Sequence, residues 1–344
     1  MPEAIIDPDL PIIDPHHHLW DRRPVMHLIP PPSHPFEHIS YRKGHYLLDQ
    51  LLEDTGSGHN IVATVYLECR SMYRAAGPTE MKPVGETEFV NGVAAMAASG
   101  LYGKTLACAG IVSTAELLLG ADVGRVLDAH GQAGGARFKG IRRATSYDAD
   151  AGVLGPLNRN PPGVMTEAKF REGFAELGKR GLSFDAWLLE PQLPELIDLA
   201  RQFPDTPIVL DHVGTPLGIA SYAGKLAERF PIWRENIREL AKSPNVHVKL
   251  GGLAMPFCNF PSLLSETRAP SEQLAKEWGP YIETCIEAFG AKRAMFESNF
   301  PVDEVSCDYR TLWNALKLIA KGASADEKHE LFFATANRFY RLGL

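Results

Sequence analysis

Eight short apolar runs, each separated from the next by a stretch with helical spacing, limit what this chain can fold into more than any other feature. They lie at 11–18, 61–68, 104–112, 136–142, 182–189, 207–213, 246–252 and 293–299. Runs such as Pro207-Ile208-Val209-Leu210 are apolar throughout rather than alternating, as expected of a parallel strand covered on both faces. The intervening segment 166–180 has helical periodicity, with Thr166 placed to cap its start and Gly181 to end it. Eight repeats of strand and helix predict an α/β chain folded as a (β/α)8 TIM barrel, one domain over residues 1–344. An open doubly wound sheet is the competing architecture. No Gly-x-Gly-x-x-Gly turn follows the first strand, and eight units suit the closed form better. No internal repeat, low-complexity tract or composition shift marks a linker.

Residues 21–42 interrupt the regular spacing with five prolines and little periodicity. Long loops inside compact domains are usually functional. This one follows the first strand directly, so in a barrel it covers the carboxyl-terminal mouth where active sites sit. A second connection, 70–86, flanks it after the second strand.

Charge and cysteine usage narrow the partners. A net charge of −7, from 42 acidic and 35 basic residues, argues against broad attraction to nucleic acid or anionic lipid. A small carboxylated substrate in a local basic pocket stays open. The five cysteines are widely spaced and lack a Cys-x-x-Cys pair, so neither a disulfide framework nor a zinc knuckle is indicated. With no basic, apolar leader and no membrane-length apolar run, the expected location is cytoplasmic.

The chemistry centres on Asp14-Pro15-His16-His17-His18. On an extended segment His16 and His18 point the same way, and two imidazoles on one face can share a divalent ion. The competing reading has them hydrogen-bonding only each other and nearby carbonyls. His17 faces oppositely and reads as a packed residue.

Asp14-Pro15-His16-His17-His18-Leu19-Trp20, together with Val209-Leu210-Asp211-His212-Val213-Gly214 and Phe296-Glu297-Ser298-Asn299-Phe300-Pro301, resembles the amidohydrolase superfamily. Within it, the resemblance is to the amidohydrolase-2 branch of sugar lactonases and pyrone-dicarboxylate lactonase, from about residue 11 onward. It implies hydrolysis by an activated water, commonly of a lactone, with decarboxylases as a sister group, and barrels that often associate as homo-oligomers. By position His16 and His18 match the first-strand pair and His212 a sixth-strand histidine, together a ligand set for one zinc or manganese ion. Two positions depart. Gln192 stands where these lactonases usually carry a histidine, and Asn299 stands where the superfamily places a metal-binding, proton-accepting aspartate. An asparagine amide has no useful basicity. A metal-bound and a metal-free site are therefore both open. The base falls to His16, His18 or His212, or to Glu68, Glu297 or Asp303, with a histidine favoured.

Substrate contacts are expected from cations near the fourth strand, Arg137, Lys139 and Arg142 with Arg143 beyond, since a guanidinium grips a carboxylate bidentately. Gly140-Ile141-Arg142 also matches an arginine that touches substrate in the lactonases this chain resembles. The bland readings are a solvated loop end, or an ion pair of Glu68 with one of these cations. Arg70, Tyr73 and Arg74, in the loop after the second strand, and Gln192 complete the candidates. Lys249 either pairs with an internal carboxylate or steadies charge on a tetrahedral intermediate. Trp20, Trp187 and Phe300 read as packing. The expected activity is hydrolysis of a lactone or related cyclic ester of a small carboxylated metabolite. Its competitors are non-oxidative decarboxylation or carbon–carbon cleavage of an aromatic or enoic acid, and a barrel that only binds a metabolite.

Overall fold

In the computed structural model of the protein, which describes residues 3–264 and 267–344, each apolar run forms a strand of one eight-stranded parallel sheet. The strands are β1 (Pro11–His17), β2 (Asn60–Leu67), β3 (Leu106–Ser113), β4 (Phe138–Arg142), β5 (Ser183–Ala186), β6 (Ile208–Leu210), β7 (Val246–Leu250) and β8 (Ala294–Phe296). Sheet order follows chain order from β1 to β8. Closure happens just past β8. His17 bridges to Phe300, Asn299 N–H donates to the His16 carbonyl at 2.9 Å, and His18 N–H donates to the Phe300 carbonyl at 2.8 Å. The seam of this (β/α)8 barrel thus joins the histidine run to the Glu-Ser-Asn segment.

The helices that follow the strands in turn are α1 (Leu48–Thr55), α2 (Val84–Ala98), α3 (Gly124–Gly134), α4 (Ala168–Lys179), α5 (Leu193–Gln202), α6 (Leu226–Leu240), α7 (Ser271–Phe289) and α8 (Tyr309–Ile319). The expected Thr166 cap is not used. Its hydroxyl donates back to the Gly163 carbonyl at 2.7 Å, and α4 starts two residues later. Outward residues Phe184, Ile208, Leu210, Val248, Leu250 and Phe296 pack under Trp233, Trp278 and Trp313 in the strand–helix layer. Burying each such side chain contributes about 1.5–3 kcal/mol.

Inward, Ile13, Val65, Leu67, Val209 and Met295 cluster with Phe339 and Tyr340 of the C-terminal helix. Tyr340 donates to Asp185 at 2.6 Å and Lys139 Nζ to the Arg341 carbonyl at 3.0 Å. The C-terminal segment therefore plugs the amino end of the barrel. Toward the other end the inward positions turn charged, at Asp185, Asp211, Lys249 and Glu297, all fully buried.

The 21–42 segment forms a short turn at Arg23–Leu28 and a helix at Glu37–Arg42. His34 Nε2 bonds the Gly152 and Val153 carbonyls at 3.2 and 3.1 Å, Phe36 stacks on Phe257 at 5.1 Å, and Lys43 pairs with Glu304 at 2.8 Å. Those partners follow β4, β7 and β8, so the segment reaches across the carboxyl end. All five cysteine thiols are unpaired. Among the described residues no helix is long and apolar enough to cross a membrane.

One buried histidine makes the fold pH-sensitive. His130 Nε2–H donates to the Thr114 carbonyl at 3.0 Å, and its Nδ1 lies 2.8 Å from the Thr87 hydroxyl. Burial pushes its pKa from 6.5 down to about 4. Between those values the unfolded chain binds the extra proton, so this contribution is complete above pH 6.5 and is lost as pH falls toward 4. Urea unfolding at pH 7 and pH 5 should differ by roughly 1–2 kcal/mol less in His130→Gln than in the parent. An unchanged difference rejects this assignment.

Candidate active site

Glu297, the first residue past β8, organises the carboxyl end of the barrel. Its Oε2 lies 2.6 Å from His16 Nδ1 and its Oε1 lies 2.7 Å from His212 Nδ1. A carboxylate only accepts, so His212 carries its proton on Nδ1 and presents its Nε2 lone pair. The His16 contact is an ion-pair distance, with Lys249 Nζ 3.2 Å from the same Nδ1. The two rings stand 4.5 Å apart. Room for this comes from Gly251-Gly252 after β7. A Cβ on Gly251 would meet the Glu297 carbonyl oxygen at 2.5 Å, and one on Gly252, at φ +68°, would meet His212 Nδ1 at 2.3 Å. His212 is itself left-handed at φ +55°, as is Val213 at φ +47°. Non-glycine residues hold such angles only where their surroundings impose them.

Gly252→Ala should lower turnover about a hundredfold, the usual cost of displacing a reacting group by about 1 Å. Steady-state kinetics of the soluble variant check this. Parent-like turnover would show that the His212 ring tolerates displacement.

Two cations enter the same space. Lys249 Nζ is 2.7 Å from Asp185 and 3.1 Å from Asp211. Burial alone would lower the Lys249 pKa, but Asp185 and Asp211 override it and hold the ammonium above its ordinary value. Burial raises Asp185 to about 6 even with Lys249 opposing. Arg142, the last residue of β4, donates from Nε to Glu68 Oε1 at 3.0 Å and from Nη2 to the Glu68 carbonyl at 2.5 Å. Its Nη1 is 3.1 Å from His16 Nε2 and 3.6 Å from Asp211 Oδ2. Burial first, then Lys249, His212 and Arg142, hold His16 well below the usual imidazole range. It is therefore neutral, with Nε2 accepting from Arg142.

His16, Asp211 and His212 each bring a ligand atom within 4.8 Å of the others. Both Asp211 oxygens are buried and accept no well-directed hydrogen bond, although Lys249 and Arg142 lie at ion-pair distance. Two imidazoles and one carboxylate are an ordinary donor set for zinc. Glu68, Asp185, Asp211 and Glu297 also outnumber Lys249 and Arg142 by two charges. The residues fit a divalent ion.

The grouping differs from the His16, His18, His212 set that the family resemblance implies. β1 carries a register irregularity between Asp14 and His17, yet the His16 and His18 rings share a face, 5.1 Å apart. His18 Nδ1 faces the Leu67 carbonyl at 2.9 Å and its Nε2 faces Asn299 Oδ1 at 3.3 Å. Asn299 Nδ2 lies 2.8 Å from Asp303 Oδ1. Burial pushes the Asp303 carboxyl well above its ordinary value, despite the Asn299 bond. Glu68 is the carboxylate salt-bridged to Arg142.

Other expected contacts lie elsewhere. Arg137 precedes β4 and donates to Asn91 at 2.8 Å, while Lys139 reaches the C-terminal plug, so both belong to the amino-terminal half of the strand. Periodicity put the cations on one strand without saying which end each would meet. Gln192 spends its amide on the chain: Nε2 donates to the Thr145 carbonyl at 2.9 Å and Oε1 accepts from Tyr147 N–H at 2.9 Å. Arg70 and Tyr73 are exposed on the loop after β2. Arg74 pairs with Glu88, and Arg143 with Glu116 at 3.0 Å. His17 packs as expected, 2.8 Å from Thr64 Oγ1. Trp20 caps the His18 ring at 6.4 Å.

Asp185, Asp211 and Glu86 were not singled out by sequence. Glu86 on α2 accepts from Tyr66 OH at 2.7 Å and from the Cys69 and Ser71 amides at 2.9 Å each, holding the loop that carries Glu68. The available signal for Asp185 and Asp211 was an acid at the carboxyl end of a short apolar run, an inward position in a closed barrel.

The family model described as amidohydrolase matches residues 13–342. The uncharacterized protein y4mH of Sinorhizobium fredii is 37% identical over 97% of this chain and 99% of its own length. An L-fucono-1,5-lactonase of Burkholderia ambifaria is 32% identical over 47% of this chain and 50% of its own. Among solved structures, an amidohydrolase of Burkholderia multivorans with bound zinc superposes with a TM-score of 0.71 at 24% identity, covering 96% of this chain and 99% of that one.

Proposed function

The chain belongs to the amidohydrolase family, and from that premise we propose that it hydrolyses a lactone of a small carboxylated metabolite by means of a Glu297–His212 dyad. The observation that carries this reading is the 2.7 Å contact of Glu297 with His212 Nδ1, which leaves Nε2 as a base. Among the described residues no hydrogen bond is made at His212 Nε2. Its counterpart on His16 is spent on Arg142.

His212 Nε2 takes a proton from water as the water oxygen bonds to the lactone carbonyl carbon. The oxyanion that forms faces the Arg142 guanidinium, whose charge is worth most in a water-poor site. The ring acyl carbon–oxygen bond then breaks, and His212 returns the proton to the leaving alkoxide, giving a hydroxy acid. Arg70 and Tyr73 at the mouth are the proposed grip for the substrate carboxylate. A divalent ion held by His16, Asp211 and His212 would take the His212 lone pair and supply Lewis acidity in place of proton transfer by the dyad.

The lactonase relative supports the ester class, although it aligns with only 47% of this chain. A panel of lactones with and without a second carboxylate tests the proposal. Turnover is expected to favour the carboxylated members, and His212→Ala should lower kcat about a thousandfold. If no lactone opens with or without added zinc, the proposal fails. Asn299→Asp should not raise turnover, because a carboxylate there would meet Asp303 at about the present 2.8 Å contact and share its proton. A gain of tenfold or so would assign Asn299's position to water activation instead.

A further inference from the structure

Arg142 and the ligand group make conflicting demands on a single lone pair. A guanidinium only donates, so the Arg142 bond to His16 Nε2 places the lone pair of the neutral ring on Nε2 and its proton on Nδ1, which lies 2.6 Å from Glu297 Oε2 and 3.2 Å from Lys249 Nζ. Arg142 Nη1 points at that atom from 3.1 Å and lies 3.6 Å from Asp211 Oδ2. The guanidinium thus stands beside two of the three groups that fit a divalent ion. It is held there from behind, since Nε and Nη2 are both bonded to Glu68.

We propose that Arg142 is the resident cation of this site and that it excludes a divalent metal by occupying the His16 Nε2 lone pair. This rests on His16, Asp211 and His212 forming the site, but not on the lactone as substrate. An imidazole nitrogen has one in-plane lone pair, so a nitrogen-bound zinc at 2.0–2.1 Å and an N–H donor at hydrogen-bond distance cannot share it. An arginine also remains charged at any working pH, so protonation cannot release it. Loading zinc therefore requires Arg142 to swing away from His16. In the resident form the His212 lone pair stays available for proton transfer, in keeping with the dyad.

The test is zinc affinity, measured by calorimetry with zinc chloride on the full chain freed of metal by chelator. Arg142→Met should bind one zinc about 10- to 100-fold more tightly than the parent, the range over which groups behind metal ligands tune affinity. Removing Arg142 leaves Glu68 without its cation, so the double variant Glu68→Met, Arg142→Met is measured as well. Replacing both partners avoids an unpaired buried charge, and the same gain is expected. Adding His16→Ala to either should abolish the gain. Arg70→Met, which removes a mouth cation without touching His16, should stay within about twofold of the parent, as expected for a screened charge. Equal affinities in parent and variants, no zinc binding in any of them, or an equal gain in Arg70→Met would each overturn the proposal. None of these outcomes depends on lactone turnover.

Discussion

Replacing Glu297 by glutamine is expected to lower kcat for lactone hydrolysis about a thousandfold or more, with little change in KM. The carboxylate now accepts from His212 Nδ1–H at 2.7 Å and lies at ion-pair distance, 2.6 Å, from His16 Nδ1. A glutamine amide has one accepting oxygen and one donating nitrogen, so only one ring can keep its proton on Nδ1. The other must adopt the opposite tautomer or lose its bond. If the ring that turns is His212, its Nε2 becomes a donor and can no longer accept a proton from water. Glu297→Asp keeps the charge but is one methylene shorter, so it cannot span both rings and should recover activity only in part. Kinetics over pH 5–9 on soluble variants check this. A loss under about tenfold for glutamine would mean that Glu297 is packing rather than orienting the base.

Lys249→Met should cost about 3–5 kcal/mol of unfolding free energy, the penalty for removing one partner of a buried ion pair. Lys249 is completely buried and balances both Asp185 and Asp211. Its pKa is raised in the fold, so its contribution is complete below about 10.4, the ordinary lysine value, and declines only above that. The deficit of the variant moves with Asp185. That carboxyl sits at about 6 and rises further when the ammonium is gone. A carboxyl whose folded pKa is raised loses stability as pH climbs from 3.8 through the folded value, so the deficit should shrink between pH 7 and pH 4. Urea denaturation across that range measures it. A cost under about 1 kcal/mol would show that water reaches the pair.

The strands are legible as short runs rich in apolar residues, the fourth, Phe138–Arg142, being the one broken by two cations. The covering segment 21–42 was legible through its prolines, and His16 and His212 through motifs that place an imidazole at a strand end. Asp211 lies within its motif, but an acid after Ile-Val-Leu reads equally well as the start of a turn. Arg137 and Lys139 were grouped with Arg142 because period two gives a face but not a height along the barrel axis. Gln192 was placed at a strand end by position, yet its amide is saturated by backbone groups.

The barrel and the strand ends that carry its histidines follow from patterns within ten or twenty residues, which is the range over which periodicity and turn chemistry act. Which nitrogen of each histidine is free does not. That depends on Glu297 lying 85 positions from His212 and on Arg142 lying 126 positions from His16. A lone pair belongs to whichever donor closure of the barrel brings within about 3 Å. The proton inventory of the site is therefore set by the seam between β1 and β8 and by the space left at Gly251-Gly252, and both exist only once the sheet has closed.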